Sequence, residues 1–255
     1  MNGNTDRFSD LGKDIKKNND LIQGETLGEK KFGSITNTWN PITGCLHKCI
    51  YCWARRFARR LASMGVEPYK TNLFAPAFAK WRLKQRFGRG KFIFVGDMGD
   101  MWGNWVPSEW ISEVLEAIKR MHYCGFFFLT KNPRRYREFE DEFSENIVLG
   151  VTIETNRDYL VTNAPSPKER YKAIKEIDWP NKAIVIEPIL DFDPEFIGWI
   201  KEISPSSVYV EYDNYNNRLP EPPRSKTERL VAELSRITDV RVKNVRKAWF
   251  EKKEG

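Results

Sequence analysis

Alternation is the feature that most restricts what this chain can become. From Lys91 onward, short and nearly unbroken apolar runs take turns with amphipathic stretches. Lys91–Gly96, Gly125–Thr130, Asn146–Glu154, Ala183–Glu187 and Ser207–Glu211 read as strands, and Val240–Val245 as a further one. Between them, Pro107–Tyr123, Pro133–Phe143, Lys168–Ile177, Pro194–Ile203 and Ser225–Ile237 read as helices. Strands that are apolar at consecutive positions are buried on both faces. Strands separated by helical segments pair in parallel through crossovers. Upstream, Lys31–Asn40 reads as a first strand, and Trp53–Met64 and Ala75–Phe87 as helical stretches. The expectation is an α/β fold in which a βα unit repeats about six times, two short of the eight-unit barrel. An open doubly wound sheet and a partial barrel both fit.

The domain expected is single, spanning residues 33–255, behind a flexible N-terminal arm at 1–32 rich in Asn, Asp, Lys and Gly. No Gly-x-Gly-x-x-Gly follows a first strand and no phosphate loop ends in Lys-Ser/Thr, which disfavours the usual nucleotide folds. No apolar run approaches the roughly 20 residues that cross a bilayer, and no basic segment followed by an apolar core marks a secretory signal. A soluble, cytoplasmic protein that meets no membrane is expected.

Three of the four cysteines fall in Gly44-Cys45-Leu46-His47-Lys48-Cys49-Ile50-Tyr51-Cys52, spaced C-x3-C-x2-C. Loops this short strain a disulfide, so thiols in a reducing compartment are expected. Thiolates this close converge on one inorganic centre. Zinc normally takes four protein ligands in two separated pairs, whereas a [4Fe–4S] cluster held by three cysteines keeps one iron open for a substrate or cofactor. His47 as a fourth ligand would close that corner. Cys124, set apart, reads first as a small buried apolar residue, with a hydrogen donor to a product radical or a fourth zinc ligand as its functional readings.

Polar groups recur where the strands end: Gly96-Asp97-Met98-Gly99-Asp100, Thr130-Lys131-Asn132, Thr152-Ile153-Glu154-Thr155, Glu187-Pro188 and Glu211-Tyr212-Asp213-Asn214. Ligands of parallel α/β folds sit at those ends. The chain is modestly basic, with 42 Lys and Arg against 35 Asp and Glu for a net charge of +7. That is compatible with a polyanionic partner without establishing one. Arg55, Arg56, Arg59 and Arg60, then Lys84, Arg86, Arg89 and Lys91, offer charge along a backbone, and Lys131, Arg134 and Arg135 add it beside the third strand. Trp102, Trp105, Tyr212 and Tyr215 are candidate exposed rings for base stacking.

The C-x3-C-x2-C spacing, with aromatic Tyr51 just before the last cysteine, resembles the signature of the radical S-adenosylmethionine (radical SAM) superfamily. Thr38-Trp39-Asn40-Pro41-Ile42-Thr43-Gly44-Cys45, Gly96–Trp102 with Val106-Pro107, Leu129–Pro133 and Leu149–Glu154 together resemble a phage-associated and bacterial radical-SAM-like family of unassigned activity. That likeness spans roughly residues 36–215. The superfamily resemblance implies a parallel six-stranded partial (β/α)6 barrel. It also implies a [4Fe–4S] cluster on Cys45, Cys49 and Cys52, and reductive cleavage of S-adenosyl-L-methionine to a 5′-deoxyadenosyl radical. An electron-donor protein such as a ferredoxin or flavodoxin would supply the reducing electron. By the same resemblance, Gly96, Asp97, Met98, Gly99 and Asp100 stand where the methionyl amino group of SAM is held. The usual motif there ends in glutamate, and this chain has aspartates. Thr152 and Glu154 point to the ribose, and Tyr51 to the adenine, with Glu154 equally readable as a core ion-pair partner. A nucleic acid nucleotide is the leading substrate class and a peptide or small metabolite the runner-up. The rivals are a non-catalytic zinc- or cluster-containing nucleic-acid-binding module and a degenerate barrel that acts as a partner protein.

Overall fold

The computed structural model describes residues 34–251; the arm expected at 1–32 lies outside the described residues. Strand β1 (Asn37–Trp39) is followed by the two-residue β2 (Ile42–Thr43), the cysteine loop and helix α1 (Trp53–Ser63). After β3 (Ala77–Phe78), the regular alternation begins with β4 (Phe92–Val95), α2 (Ser108–Lys119) and β5 (Gly125–Thr130). It continues through β6 (Ile147–Thr152), α3 (Pro167–Lys175), β7 (Lys182–Ile186), α4 (Glu195–Ile203), β8 (Ser207–Glu211), α5 (Arg224–Leu234) and β9 (Asp239–Lys243). Between β5 and β6 the crossover is a run of 3-10 helix, Pro133–Glu142.

The main sheet has seven strands in the order β1-β4-β5-β6-β7-β8-β9, every pair parallel. It is a half-barrel, with one strand more than the six-unit expectation because β1 and β9 both join it. Two cores follow from the period of two along each strand. Ile93, Phe126, Phe128, Leu149, Val151, Ile184, Ile186, Val208 and Val210 face the helices. Phe92, Phe94, Phe127, Val148, Ala183 and Val185, with Leu129 and Tyr209, fill the concave side. On the helix side the fully buried Trp102 ring meets Phe128, Tyr136, Phe139 and Phe143 with centroids 4.7–5.8 Å away.

Helix starts follow their local chemistry. Ser166 caps α3 with Glu169 in a reciprocal capping box and Pro167 at the first turn. The stretch Ala75–Phe87, expected as a helix, is instead β3 and a short 3-10 turn, Lys80–Lys84. Pro76 removes a donor, β3 pairs antiparallel with β2, and Ala79 N donates to Pro41 O at 2.7 Å. No helix among the described residues is long and apolar enough to cross a membrane.

The cysteine loop is held to the sheet by a backbone bridge between Gly44 and Gly99. Gly44 has φ +84°, and a Cβ there would stand 2.2 Å from the Ala75 carbonyl oxygen. Gly65 has φ +75°, and a Cβ added there would meet nothing within 4 Å. Gly44→Ala is therefore expected to cost about 2–5 kcal/mol from strain plus overlap, and Gly65→Ala only about 1–2 kcal/mol from strain. Chemical denaturation of both variants checks this; equal losses would show that the close approach at Gly44 relaxes freely.

Candidate active site

Backbone contacts place the cysteine loop. Gly44 N donates to Met98 O at 3.0 Å, Asp100 N to Gly44 O at 3.2 Å, and Cys45 N to Phe74 O at 3.1 Å. Cys52 then caps α1, its Sγ accepting the Arg55 N–H at 3.3 Å. Cys45 Sγ accepts from His47 N at 3.4 Å, and Cys49 Sγ lies 3.1 Å from Thr162 Oγ1. All three are free thiols. They line one cavity of about 170 Å³ at the C-terminal ends of the strands, together with Tyr51, Gly96, Asp97, Asp100 and Thr152. Cys124 is buried in the main core with its Sγ 3.2 Å from Gly88 O.

Three free thiols on one cavity are a soft donor set that fits a thiolate-held metal centre, an iron–sulfur cluster among them. Soft thiols suit iron–sulfur clusters and zinc alike. Among the described residues, however, no three His, Cys, Asp or Glu side chains are gathered tightly enough for a single metal ion. Burial pushes the Cys45 and Cys52 thiols up, and Asp100 adds to the effect at Cys45. A bound cationic centre reverses this by favouring thiolate.

Asp100 is the polar hub behind the loop. His47 Nε2 is 3.0 Å from its Oδ2, Thr130 Oγ1 donates to it at 2.8 and 2.9 Å, and the Lys131 and Trp102 N–H groups donate at 3.0 Å. Burial raises the Asp100 carboxyl, but these donors outweigh it and hold the group below its usual range. His47 is thereby turned to Asp100, with its ring edge against Trp105 at 4.8 Å. Asp97 is reached by Asn40, which donates to its carboxylate while Asn40 Oδ1 accepts the Met98 N–H at 2.9 Å. Burial pushes Asp97 up to about 6 despite Asn40 and the Arg82 charge. Met98 packs its side chain among Ala54, Ala58, Tyr69 and Phe74.

Glu154 is an ion-pair centre. Lys131 Nζ is 3.0 Å away, Arg170 Nη1 2.7 Å, and the Tyr51 hydroxyl donates to it. Arg170 Nη1 also donates to Thr152 O at 2.6 Å, and Lys131 lies 5.4 Å from the Tyr51 ring centroid. Tyr51 thus joins the cysteine loop to the fourth strand of the sheet, with Glu154 behind it.

Other expected residues separate. Trp102 and Tyr212, expected as exposed stacking rings, are fully buried. Trp102 fills the core, and the Tyr212 hydroxyl donates to Pro222 O at 2.9 Å and meets Thr227 at 2.7 Å. Trp105 is half-buried. Tyr215, also half-buried, lines the cavity under Arg56, at 5.2 Å. Arg135 is buried and donates to Gly103 O and Val106 O, while Arg134 is exposed. Arg56, Arg59 and Arg60 are exposed on α1, as are Lys84, Arg86, Arg89 and Lys91. Thr162, Asn40 and Arg82 carry no sequence signal for the roles they take. For Asn40 the nearest hint is its place just before Pro41 and the cysteine loop.

Burial raises Glu154, but Arg170, Lys131 and Tyr51 together hold its carboxyl down at about 2. A carboxyl depressed on folding contributes stability that is present above its unfolded value, near 4.3, and is lost as pH falls toward 2. Arg170→Met should cost about 3–5 kcal/mol at pH 7 by leaving a buried charge short of a partner. It should also flatten the loss of stability between pH 4.5 and pH 2. Urea unfolding across that range checks both; an unchanged acid limb would mean that Lys131 alone sets the Glu154 charge.

Several solved structures overlap the chain, three of them as follows. One is a spore photoproduct lyase variant, with 13% identity and a TM-score of 0.48, covering 86% of this chain and 65% of that one. Another is spore photoproduct lyase complexed with dinucleoside spore photoproduct, at 13% and 0.48, covering 77% and 60%. The third is Streptococcus suis SuiB bound to S-adenosylmethionine, at 13% and 0.48, covering 85% and 52%. The chain spans less than two thirds of the length of each of these three. No curated protein matches it. A protein-family match covers residues 31–199, more than half of the sequence, and by it the chain belongs to the family described as Protein of unknown function (DUF5131).

Proposed function

We propose that this chain is a radical SAM enzyme that holds a [4Fe–4S] cluster on Cys45, Cys49 and Cys52 and modifies or repairs a nucleotide of a nucleic acid. One observation carries the reading: the three closely spaced free thiols share a single cavity with Gly96, Asp97, Thr152 and Tyr51, at the C-terminal ends of a parallel half-barrel. When bound, such a cluster supplies an electron and an open iron, and with them the reductive cleavage of S-adenosyl-L-methionine to a 5′-deoxyadenosyl radical.

The chain's own part is binding, orientation and exclusion of water. Asp97, on the Gly96–Asp100 turn, faces the cavity with a carboxyl pushed up to about 6 by burial. A cationic methionyl amino group placed there would favour its ionised form. Thr152 offers a hydroxyl from the neighbouring wall to a ribose. Tyr51, Trp53 and Phe74 give the thiol end apolar surface that keeps water out. Glu154, sequestered by Lys131, Arg170 and Tyr51, acts on this reading by holding Tyr51 in place. A zinc module built on the same cysteines is disfavoured by the position of Cys124, in the core and hydrogen-bonded to Gly88.

The nucleic-acid half of the reading rests on exposed Arg56, Arg59 and Arg60 on the helix that leaves the cysteine loop, and on Arg56 over Tyr215 at the cavity. A ferredoxin- or flavodoxin-like protein is the proposed electron donor.

Anaerobic reconstitution should give a brown protein absorbing near 400 nm with about four irons per chain, which turns over S-adenosyl-L-methionine to 5′-deoxyadenosine and methionine. Replacing Cys45, Cys49 or Cys52 by Ala should abolish both cluster and cleavage, while Cys124→Ala keeps them. Retained cleavage in Cys49→Ala would refute the cluster assignment. Binding to a single-stranded oligonucleotide should weaken steeply with added salt; a flat response in a filter-binding titration would move the substrate to a peptide or small metabolite.

A further inference from the structure

The segment that follows β6 is laced to the cysteine loop as a strap. Ile50 N donates to Val161 O at 3.0 Å and Asn163 N to His47 O at 2.7 Å, so residues 161–163 are tied to the loop on both sides of Cys49. Upstream the strap is anchored where Thr155 Oγ1 donates to Asp191 O at 2.6 Å and the Arg157 guanidinium is held by Asp191 and Asp193. Downstream it runs into α3, whose first turn is fixed by the Ser166 capping box. Between these anchors Thr162 sets its Oγ1 3.1 Å from Cys49 Sγ. Ala164 N donates to the same oxygen at 3.1 Å, a turn that fixes the oxygen while its hydrogen still rotates. Tyr51, Leu190 and Leu219 form the apolar cluster against which Cys49, Tyr159 and Val161 pack.

The three sulfurs differ in what meets them. Cys45 Sγ accepts from His47 N at 3.4 Å and Cys52 Sγ from Arg55 N at 3.3 Å, both backbone groups within three residues of their own cysteine. Cys49 is met instead by a side chain 113 residues along the chain. While Cys49 is a thiol, the Thr162 hydrogen can go to His47 O, 3.1 Å away. A cysteine that binds a metal is a thiolate and has no hydrogen of its own. An oxygen 3.1 Å from a thiolate, with no hydrogen between them, would set its lone pairs against a negative charge. The Thr162 hydrogen therefore turns to the sulfur. His47 O stays satisfied, because Asn163 N still donates to it.

We propose that Thr162, by donating this hydrogen bond to Cys49, raises the reduction potential of the cluster, and so is a positioning residue that acts through a ligand rather than on a substrate. The inference rests on the cluster reading above. One electron from the donor protein reduces the cluster, and no proton moves. The added charge spreads onto the ligand sulfurs, so a donor at a sulfur favours the reduced state over the oxidised one. The apolar packing around Cys49 strengthens such a bond by keeping competing water away.

The test reads the midpoint potential of the reconstituted full-length chain, in an anaerobic redox titration followed by the electron paramagnetic resonance of the reduced cluster. Iron per chain is measured on every sample. Thr162→Val, close in volume but without the hydroxyl, should lower the ratio of reduced to oxidised cluster at a fixed potential about tenfold, a fall of about 59 mV for one electron. Thr162→Ala should do the same without asking for new space, and Thr162→Ser, which keeps the O–H, should match the unmutated chain. An unchanged midpoint in both the valine and alanine variants, with iron retained, overturns the tuning role. Loss of iron from both, with Thr162→Ser keeping it, also overturns that role and assigns the contact to holding the loop. An unmutated chain that takes up no iron overturns the cluster reading itself.

Discussion

Two glycines in backbone contact set the distance between the cysteine loop and the sheet. A methyl group on Gly99 would stand 2.7 Å from Gly44 O, and one on Gly44 would meet the backbone of Ala75 closer still. The loop can approach the end of β4 only because Gly99 carries no side chain, and the Ala75 segment only because Gly44 carries none. One residue beyond Gly99, the buried Asp100 turns the contact into a joint: its carboxylate gathers His47 from the loop, Trp102 N from its own turn, and Thr130 and Lys131 N from the end of β5. Burying a carboxylate is costly unless its lone pairs are met, and here several donors from three segments meet them. The cysteine loop, the β4 turn and the β5 end are therefore tied to one carboxylate.

The strands were legible because parallel sheets bury both strand faces, and a run such as Gly125–Thr130 has nothing else to become; its bounds in the fold are the ones its composition marks. The cysteine loop was legible for a different reason: three ligands in eight residues need no tertiary information to meet. What the sequence hid was set by pairing at long range. Ala75–Phe87 has helical spacing, but its Ala77–Phe78 segment finds a partner in Ile42–Thr43, and a ladder won over local preference. Trp102 follows a run of Gly, Asp and Met that looks like exposed loop. Its ring nonetheless fills the space between β5 and the 3-10 crossover, where Phe128, Tyr136, Phe139 and Phe143 converge. Arg135 beside it is spent on the Gly103 and Val106 carbonyls, a role that charge patterning does not reveal.

The period of two that sorts each strand into helix-facing and concave positions also sorts the polar strand ends, and this separates scaffold from site. Gly96, Thr152, Glu187 and Glu211 all continue concave positions, and Lys131 extends the concave side past Leu129. Most charges on this rung are compensated: Lys131 meets Glu154, and Arg170 meets it from the other side. Asp100 is satisfied by its donors. Self-consistent folds resolve buried charge in this way, and for such residues a structural account is sufficient.

Glu187 and Glu211 break the pattern. Two like groups adjoin on neighbouring strands, and burial, then Glu211, push the Glu187 carboxyl up to about 8 against Lys243 and Lys131. A single substitution such as Glu187→Gln would keep the shape and remove the conflict. Conflict retained where a cheap remedy exists is expected at ligand-facing positions rather than in the scaffold. Glu187 lines the same cavity as the three thiols, reaching it from the end of β7 while they reach it from the β1 side. The half-barrel thus brings to one cavity three closely spaced thiols from the loop beside its edge strand β1 and, from the end of the interior strand β7, a carboxyl that burial and its neighbour push up.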